Sequence, residues 1–203
     1  MYFFGVLPEL SAPQRRTLDA YQALLRDRGV AAGLVAQSDI ERLGERHIRD
    51  SLRAAIVLHP EDSLLCDIGP GAGLPGIVLA IARPDLRIVL VEPKERAVGF
   101  LELAVERLNL HNAQILHSRI EEVELAADVA TARAFGPLER SWEAAVRVLR
   151  PGGRLIYFAG ETLGDPEGAA RGIKAPEEAA SVTAERVVPE ASPLLIMTRQ
   201  ERP

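Results

Sequence analysis

The sequence predicts an α/β protein whose mostly parallel sheet is covered by helices on both faces. From residue 63 onwards, short apolar runs alternate with segments of helical periodicity, which is the pattern of repeated βαβ units. A glycine-rich loop follows the first apolar run, at the place where an open parallel sheet binds its ligands. The seven predicted strands cover residues 63–68, 87–91, 113–117, 129–133, 154–158, 183–188 and 194–198.

Three predicted helices connect these strands and carry apolar residues at the spacing of a helix that packs on a sheet. They cover residues 74–82, 94–110 and 138–149. Two segments are expected to lack regular structure. The sequence RPGG at 150–153 is typical of a turn, and residues 162–178, rich in glycine, proline and charge, are typical of a loop.

The beginning of the chain has a different, purely helical pattern. Residues 11–28 carry apolar side chains among charges at helical spacing, and Ser38 and Asp39 are candidate caps for a second helix. We therefore expect a short N-terminal helical extension over residues 1–58, followed by the main domain over residues 59–203.

Composition limits the classes of function. The formal net charge of −5 argues against a strongly basic nucleic-acid binder, although a local basic patch remains compatible with it. No apolar stretch approaches the roughly 18–20 residues of a membrane span, and the first residues lack the charged region and cleavage site of a signal peptide. We therefore expect a cytoplasmic protein that does not enter the membrane.

The loop DIGPGAGLPG, after the first predicted strand, has glycine at alternate positions. Gly69, Gly71 and Gly73 let the backbone turn tightly and approach a ligand with no Cβ in the way. Glu92 ends the next predicted strand, where a carboxylate can accept hydrogen bonds from both hydroxyls of a ribose. The pattern predicts a ligand that contains a nucleoside.

Three classes of ligand compete for this loop. A dinucleotide site would have a third glycine where Leu74 stands, and a P-loop would end in Gly-Lys-Ser or Gly-Lys-Thr, which is absent here. The spacing D-x-G-x-G-x-G, which begins at Asp67, is the form expected of S-adenosylmethionine sites. S-adenosylmethionine is therefore the predicted cofactor, with Asp67, Gly69, Gly71 and Gly73 in its binding site. A glycine-rich turn without a ligand is the alternative.

Five segments carry a resemblance to a known family. In chain order they are HIRDSL, DIGPGAGLPGIVLAIARPDL, EPKERAVGFL, SRIEEV and ARAF. Together they resemble ribosomal small subunit methyltransferase G, also called glucose-inhibited division protein B. The resemblance implies a class I methyltransferase fold, a Rossmann-like seven-stranded sheet that binds S-adenosylmethionine. It also implies that the protein methylates N7 of a guanine in 16S rRNA, in the small subunit or its assembly intermediate.

The resemblance also implies roles for individual residues. Gly69 and Leu74 correspond to residues that line the cofactor pocket, Glu92 to the carboxylate on the ribose, and Ile120 and Glu121 to the pair beside the adenine. Structural roles remain open for three of them. Leu74 and Ile120 could belong to the core, and Glu121 could be a solvated residue at a helix start.

Arg133 matches an arginine that reaches the cofactor and the target base, and it is the candidate catalytic residue. Arginine is rarely buried without a partner, and Arg133 ends an otherwise apolar segment. Guanine N7 already exposes a lone pair, so the transfer needs no general base and can depend on positioning and electrostatics. The sequence shows no catalytic triad and no metal cluster, so we expect no metal. Phe135 is the best placed aromatic residue for stacking on a base, with a place in the core as the alternative.

Contact with RNA is predicted for the N-terminal segment. In a continuous helix, one face would carry Arg42, Arg46, Arg49 and Arg53. We predict RNA contacts for Arg46, Arg49 and Arg53, with a solvated helix face as the alternative. His47 and Asp50 are predicted to tie the N-terminal helices to the cofactor loop, with a catalytic role as the alternative. The protein is expected to be a monomer.

Departures from the family pattern, above all at Ala159 and in GLV at Gly33–Val35 where Asn-Leu-Thr is usual, leave the acceptor less certain than the cofactor. Ala159 stands where family members usually carry a lysine after the fifth strand. Two other hypotheses therefore stay open. The chain could be a class I methyltransferase that acts on another RNA or on a small molecule, or an inactive cofactor-binding protein that acts through its N-terminal helices.

Overall fold

The chain folds around one seven-stranded sheet. The structure is a computed structural model that describes residues 7–159, 179–185 and 192–201. The strands are β1 (Leu64–Ile68), β2 (Arg87–Val91), β3 (Ala113–Leu116), β4 (Ala127–Arg133), β5 (Leu149–Phe158), β6 (Ala179–Glu185) and β7 (Leu194–Arg199). They lie in the order β3-β2-β1-β4-β5-β7-β6. The predicted α/β class with a mostly parallel sheet is confirmed.

Strand direction determines where a ligand crevice opens. Strands β1 to β5 run parallel to one another, and β7 lies antiparallel between β5 and β6. The chain places β2 on one side of β1 and β4 on the other, so the strand order reverses at β1. In sheets of this type the crevice opens beyond the carboxyl ends of the strands at the reversal.

Helices cover both faces of the sheet and shield its apolar side chains from water. They are α1 (Ala12–Leu24), α2 (Asp50–Leu52), α3 (Ala54–Val57), α4 (Gly76–Ala82), α5 (Glu95–Leu108) and α6 (Leu138–Val148). Because side chains alternate along a strand, β1 sends Leu65 into the cluster formed with α1, α4 and α5, and sends Cys66 into the cluster formed with Trp142 of α6. Both faces are apolar, as expected for a parallel sheet.

The first helix is fixed at both of its ends. Ser11 and Gln14 form a reciprocal capping box at its start, which satisfies backbone N–H groups that the helix leaves free. Gln14 also donates two hydrogen bonds to carbonyl oxygens of Ile81 and Ala82 at the end of α4. Near the other end, the hydroxyl of the fully buried Tyr21 donates to the carbonyl oxygen of Ala72 at 2.6 Å. The helix is thereby joined directly to the glycine loop.

The predicted second helix of the N-terminal segment is not continuous. The segment begins as a 3-10 helix (Gln37–Arg42) and widens into a π-helix (Leu43–Arg49) before α2 and α3. Asp39 does not cap it, because its carboxylate bonds the side chains of Arg46 and His47 instead. The continuous helix that an arginine stripe at regular α-helical spacing required is therefore not formed by this segment.

In the second half of the sheet, a predicted turn forms part of a strand. The RPGG sequence predicted as a turn belongs to β5, where the pairing with β4 shifts register between Ala127 and Val129. The predicted loop at 162–178 lies outside the described residues, as do residues 186–188 of the predicted sixth strand.

The division after residue 58 stays a prediction, and the N-terminal segment shares one hydrophobic cluster with the sheet. In the described part of the chain, every helix is too short or too polar to cross a bilayer.

We expect Tyr21→Phe to lower the free energy of unfolding by about 1–2 kcal/mol, because it leaves the buried carbonyl of Ala72 without its donor. Urea denaturation followed by circular dichroism measures the change. Asp19→Asn, an exposed position on the same helix, is the control and should change stability by less than about 0.5 kcal/mol. Equal stability of Tyr21→Phe and the wild type would contradict this role of the hydroxyl.

Candidate active site

A cavity of about 1260 Å³ opens at the carboxyl ends of the central strands. Its wall combines the glycine loop after β1, Glu92 after β2, Arg133 at the end of β4 and the end of β5 with the N-terminal segment around His47. Pockets for small ligands usually enclose about 300–1000 Å³. The cavity therefore has room for a cofactor together with part of a second substrate.

Asp67 lies behind the loop, where it accepts two hydrogen bonds. One carboxylate oxygen accepts from the backbone N–H of Gly76, the first residue of α4, at 2.7 Å. The other accepts from the hydroxyl of Thr131 on β4 at 2.8 Å. Asp67 is fully buried and is not part of the cavity wall. The structure therefore does not bring it to the predicted cofactor contact, and its carboxylate anchors the loop from behind.

The glycines of the loop serve two different purposes. A Cβ on Gly71 would meet no atom within 4 Å, so this residue faces open space. A Cβ on Gly69 would lie 2.8 Å from Phe135, and one on Gly73 would lie 2.5 Å from Ile77. All three have positive φ angles, between 57° and 94°, which favour glycine. Gly71 is thus the glycine that leaves room for a ligand. Gly69 lines the cavity beside Phe135, and Gly73 is not part of the wall.

Glu92 both supports the loop and faces the cavity. One carboxylate oxygen accepts from the backbone N–H of Gly71 at 3.0 Å, and the other accepts from the backbone N–H of Lys94 at 3.0 Å. The residue is only 4% exposed, yet it lines the cavity. Each carboxylate oxygen can accept more than one hydrogen bond, so Glu92 retains capacity for ribose hydroxyls.

Leu74, Ile120 and Glu121, for which a structural role was the alternative, do not all lie at the cavity. Leu74 lines the cavity and also belongs to the hydrophobic cluster under the loop. Ile120 is 4% exposed in the core on the α6 face, and Glu121 is exposed beside it in the 3-10 turn Ile120–Glu122. Neither Ile120 nor Glu121 is part of the cavity wall, so the structure does not bring them to the predicted site.

Arg133 is held by the N-terminal segment. Its Nε lies 3.1 Å from a carboxylate oxygen of Asp50. Its Nη2 donates to Nδ1 of His47 at 3.0 Å and to the carbonyl oxygen of Arg46 at 3.2 Å. Burial lowers the pKa of Arg133, and the neighbouring carboxylate of Asp50 opposes that shift. The prediction that His47 and Asp50 tie this segment to the cofactor loop needs a correction, because both side chains bind Arg133 at the end of β4.

The hydrogen bonds around His47 determine its tautomer. A guanidinium can only donate, so Nδ1 must accept from Arg133 and the proton must lie on Nε2. Nε2 lies 3.3 Å from a carboxylate oxygen of Asp39, to which it donates. Burial, followed by the charge of Arg133, lowers the pKa of His47. The neutral ring is therefore the favoured form.

The predicted RNA contacts line the cavity but differ in exposure. The side chains of Arg46 and Arg49 are 54% and 50% exposed, and each forms one surface ion pair. The side chain of Arg53 is only 4% exposed and binds Asp50 and the carbonyl oxygen of Ser192. Arg53 is therefore not presented to a partner at the surface, because Asp50 and the carbonyl oxygen of Ser192 hold its guanidinium in the interior.

The cavity wall is positive although the whole chain is acidic. Seven cationic side chains and three carboxylates line it, whereas the chain has a formal net charge of −5. The cationic residues are Arg46, Arg49, Arg53, Lys94, Arg96, Arg133 and Arg140. A cleft lined by one sign of charge concentrates ligands of the opposite sign, so the wall favours an anionic partner.

Sequence reasoning missed four of the residues on this wall. Lys94 and Arg96 are exposed directly after Glu92, and their position after a predicted strand could have found them. Tyr157 is the penultimate residue of β5, and its hydroxyl donates to the carbonyl oxygen of Gly136 at 3.0 Å. Arg140 lies 5.2 Å from the ring centre of Phe135, a contact that no local signal indicates.

We expect the stability of the wild type to fall, relative to that of Asp67→Asn, as the pH rises from 4 to 8. Burial raises the pKa of Asp67 from 3.8 to about 7, so the folded state binds more protons than the unfolded state in this range. The contribution is complete below pH 3.8 and is lost as the pH rises through about 7. The expected difference reaches at most about 4 kcal/mol.

Urea denaturation at several pH values measures this dependence. Asp67→Asn retains an acceptor for Gly76 or Thr131 and removes the titration, so the pH slope of its unfolding free energy should be more positive than that of the wild type. Asp85→Asn, in an exposed ion pair with Arg83, is the control. Identical slopes for Asp67→Asn and the wild type would contradict the raised pKa.

Comparisons with known proteins agree on the family. The family model described as rRNA small subunit methyltransferase G matches residues 14–182. The protein of that name from Thermobifida fusca is 46% identical over 145 residues, which are 70% of this chain and 60% of the relative. That from Acidothermus cellulolyticus is 41% identical over 140 residues, which are 69% of this chain and 63% of the relative. The chain therefore spans about three fifths of the length of these curated relatives.

A solved structure agrees with the fold. A methyltransferase from Geobacter sulfurreducens superposes with a TM-score of 0.59 at 17% identity, over 97% of this chain and 92% of the other. At this identity the likeness concerns the fold alone, and it confirms the class I methyltransferase, Rossmann-like architecture. The family model covers the glycine loop, Glu92 and Arg133 in one continuous match, and the chain belongs to the family of rRNA small subunit methyltransferase G.

Proposed function

We propose that this chain is an S-adenosylmethionine-dependent methyltransferase that methylates N7 of a guanine in 16S rRNA. One observation carries the proposal: an acidic chain of this family has a cation-lined cavity at the strand reversal, with a glycine loop and a ribose-type carboxylate in its wall. The curated relatives are named for methylation of small-subunit rRNA.

The residues present fit S-adenosylmethionine. The open space beside Gly71 leaves the loop backbone accessible, and Glu92 can still accept hydrogen bonds from ribose hydroxyls. When bound, this cofactor supplies a methyl group activated by a sulfonium. Gly69, Leu74 and Glu92 would hold the cofactor. Asp67 and Gly73 act indirectly, because they shape the loop from behind.

The charge of the wall supports RNA as the second ligand. Lys94, Arg96 and Arg140 are exposed, and none of them has an ion pair within the described part of the chain. Arg46 and Arg49 extend the positive surface along the N-terminal segment. Lysine and arginine side chains bind phosphates and account for most of the affinity of proteins for nucleic acids. The 16S rRNA of the small subunit, or of its assembly intermediate, supplies such phosphates.

Arg133 is the proposed catalytic residue. Its guanidinium lies at the end of β4 on the cavity wall, where it can donate a hydrogen bond to a bound guanine, whose O6 accepts beside N7. No proton has to leave N7 before the transfer, so the chain needs no base and contributes by orienting the guanine. We further propose that the protein acts in the cytoplasm, as a monomer and without a metal.

The cofactor site is tested by the affinity for S-adenosylhomocysteine, measured by isothermal titration calorimetry. We expect Gly71→Asp to lower this affinity at least about tenfold, because its side chain would occupy the cavity next to Glu92. The positive φ of 57° adds about 1–2 kcal/mol of backbone strain, which leaves the protein folded. Gly99→Asp, at an open and exposed position on α5, is the control and should bind normally. Undiminished binding by Gly71→Asp would contradict the site.

The acceptor is tested by transfer of a tritiated methyl group to small-subunit particles from a strain that lacks the modification. We expect label at guanine N7 of 16S rRNA, and a kcat for Arg133→Ala on the order of 10² lower than that of the wild type. Arg150→Ala, in a surface ion pair with Asp128, is the control and should retain the wild-type rate.

Each other outcome of the transfer experiment identifies an alternative. Label in metabolites and none in RNA would indicate a small-molecule methyltransferase. Cofactor binding without any transfer would indicate an inactive binding protein. Full transfer by Arg133→Ala would contradict the role assigned to that arginine.

A further inference from the structure

Two of the three side-chain nitrogens of Arg133 are bound by the N-terminal segment. Asp50 binds Nε, and His47 with the backbone carbonyl of Arg46 binds Nη2. Among the residues that the structure describes, none accepts a hydrogen bond from Nη1. This nitrogen is also not fully buried. Nη1 is therefore the nitrogen that can donate to a ligand in the cavity.

The backbone of β4 alone does not determine where this guanidinium points. The strand ends at Arg133, and Ala134 leaves it with a positive φ of 54°. A long arginine side chain at such a position has many rotamers, and each ordered torsion costs conformational entropy. Asp50 and His47 remove that freedom before a ligand arrives, since the ion pair with Asp50 and the hydrogen bond to His47 are present in the free protein. Donors fixed in advance stabilise a transition state better than mobile ones.

We propose that His47 and Asp50 are positioning residues for methyl transfer, because they hold the guanidinium of Arg133 so that Nη1 faces the bound ligands. This inference rests on the proposed function, in which Arg133 meets the guanine. Both residues act through Arg133, and neither is assigned a contact with the reacting atoms. The N-terminal segment therefore completes the active site of the sheet.

The proposal makes activity depend on the protonation of His47. In the neutral ring Nδ1 accepts from Arg133, whereas a proton on Nδ1 would remove this bond and place two cations against each other. The charged groups that face the ring are Asp39 and Arg46 on its own segment and Arg133 on β4, with Asp50 on the other side of the guanidinium. Burial and the charge of Arg133 outweigh Asp39 and lower the pKa of His47. Activity should therefore fall on the acid side of the ordinary histidine value of about 6.5.

Two amide variants of His47 separate its two nitrogens. In His47→Asn the amide oxygen can take the place of Nδ1 and accept from Arg133. In His47→Gln the amide reaches towards Nε2 and keeps a partner in Asp39, but it leaves Arg133 without this acceptor. We expect His47→Gln to lower kcat about ten- to hundredfold with unchanged affinity for S-adenosylhomocysteine. His47→Asn should retain most of the wild-type kcat at pH 8, and both variants should lose the acid limb of the pH profile.

Asp50 supplies an independent series with its own controls. Asp50→Asn keeps an acceptor for Nε of Arg133 and should lower kcat less than Asp50→Ala does. Asp85→Asn, in the exposed pair with Arg83, is the control for the carboxylate. His111→Gln, at an exposed position before β3, is the control for the histidine variants. Both controls should retain the wild-type kcat and pH profile.

Nitrogen-15 NMR of the ligand-free protein gives a readout that does not need turnover. We expect the Nε2–H tautomer of His47, and a slowly exchanging Nε–H of Arg133 that becomes fast in Asp50→Ala. The inference would be overturned by the opposite tautomer in the wild type. It would also be overturned by a wild-type kcat and acid limb in His47→Gln, or by equal losses of kcat in His47→Asn and His47→Gln. If wild-type protein gave the expected NMR signals but transferred no methyl group, the proposed function would be wrong. The positioning of Arg133 by His47 and Asp50 would still be supported.

Discussion

The shape of the glycine loop depends on two buried carboxylates that accept hydrogen bonds from its backbone. Asp67 binds the N–H of Gly76 from behind, and Glu92 binds the N–H of Gly71 from the cavity side. Asp67 anchors the start of α4, and Glu92 fixes the position of Gly71 in the cavity wall. Both carboxylates are almost completely buried, so their bonds are shielded from water and gain strength from the low dielectric of the interior.

The N-terminal segment contributes what the sheet cannot supply. Tyr21 binds the glycine loop from the α1 side, and the segment around His47 binds Arg133 at the end of β4. The same segment adds Arg46 and Arg49 to the positive wall of the cavity. The glycine loop, Arg133 and the cationic side chains are therefore parts of one cavity rather than separate sites.

The sequence signals were reliable where structure follows from local pattern. The strand beginning at Arg87 and the helix beginning near Leu138 follow from apolar periodicity, and the position of Glu92 follows from the end of its strand. The arginine stripe required a continuous α-helix, whereas the chain widens into a π-helix at Leu43, which the spacing of the arginines did not indicate. The partners of Arg133 and the contact between Arg140 and Phe135 join residues that only the tertiary fold brings together, so local pattern could not predict them.

The most direct test of the account is a crystal structure of the protein with S-adenosylhomocysteine bound. We expect the ribose hydroxyls on the carboxylate of Glu92 and the cofactor backbone against Gly71. Arg133 should still be bound to Asp50 and His47, and its Nη1 should face the part of the cavity that holds the sulfur of S-adenosylhomocysteine. A cofactor bound elsewhere, or an Arg133 released from both partners and turned out of the cavity, would contradict the account.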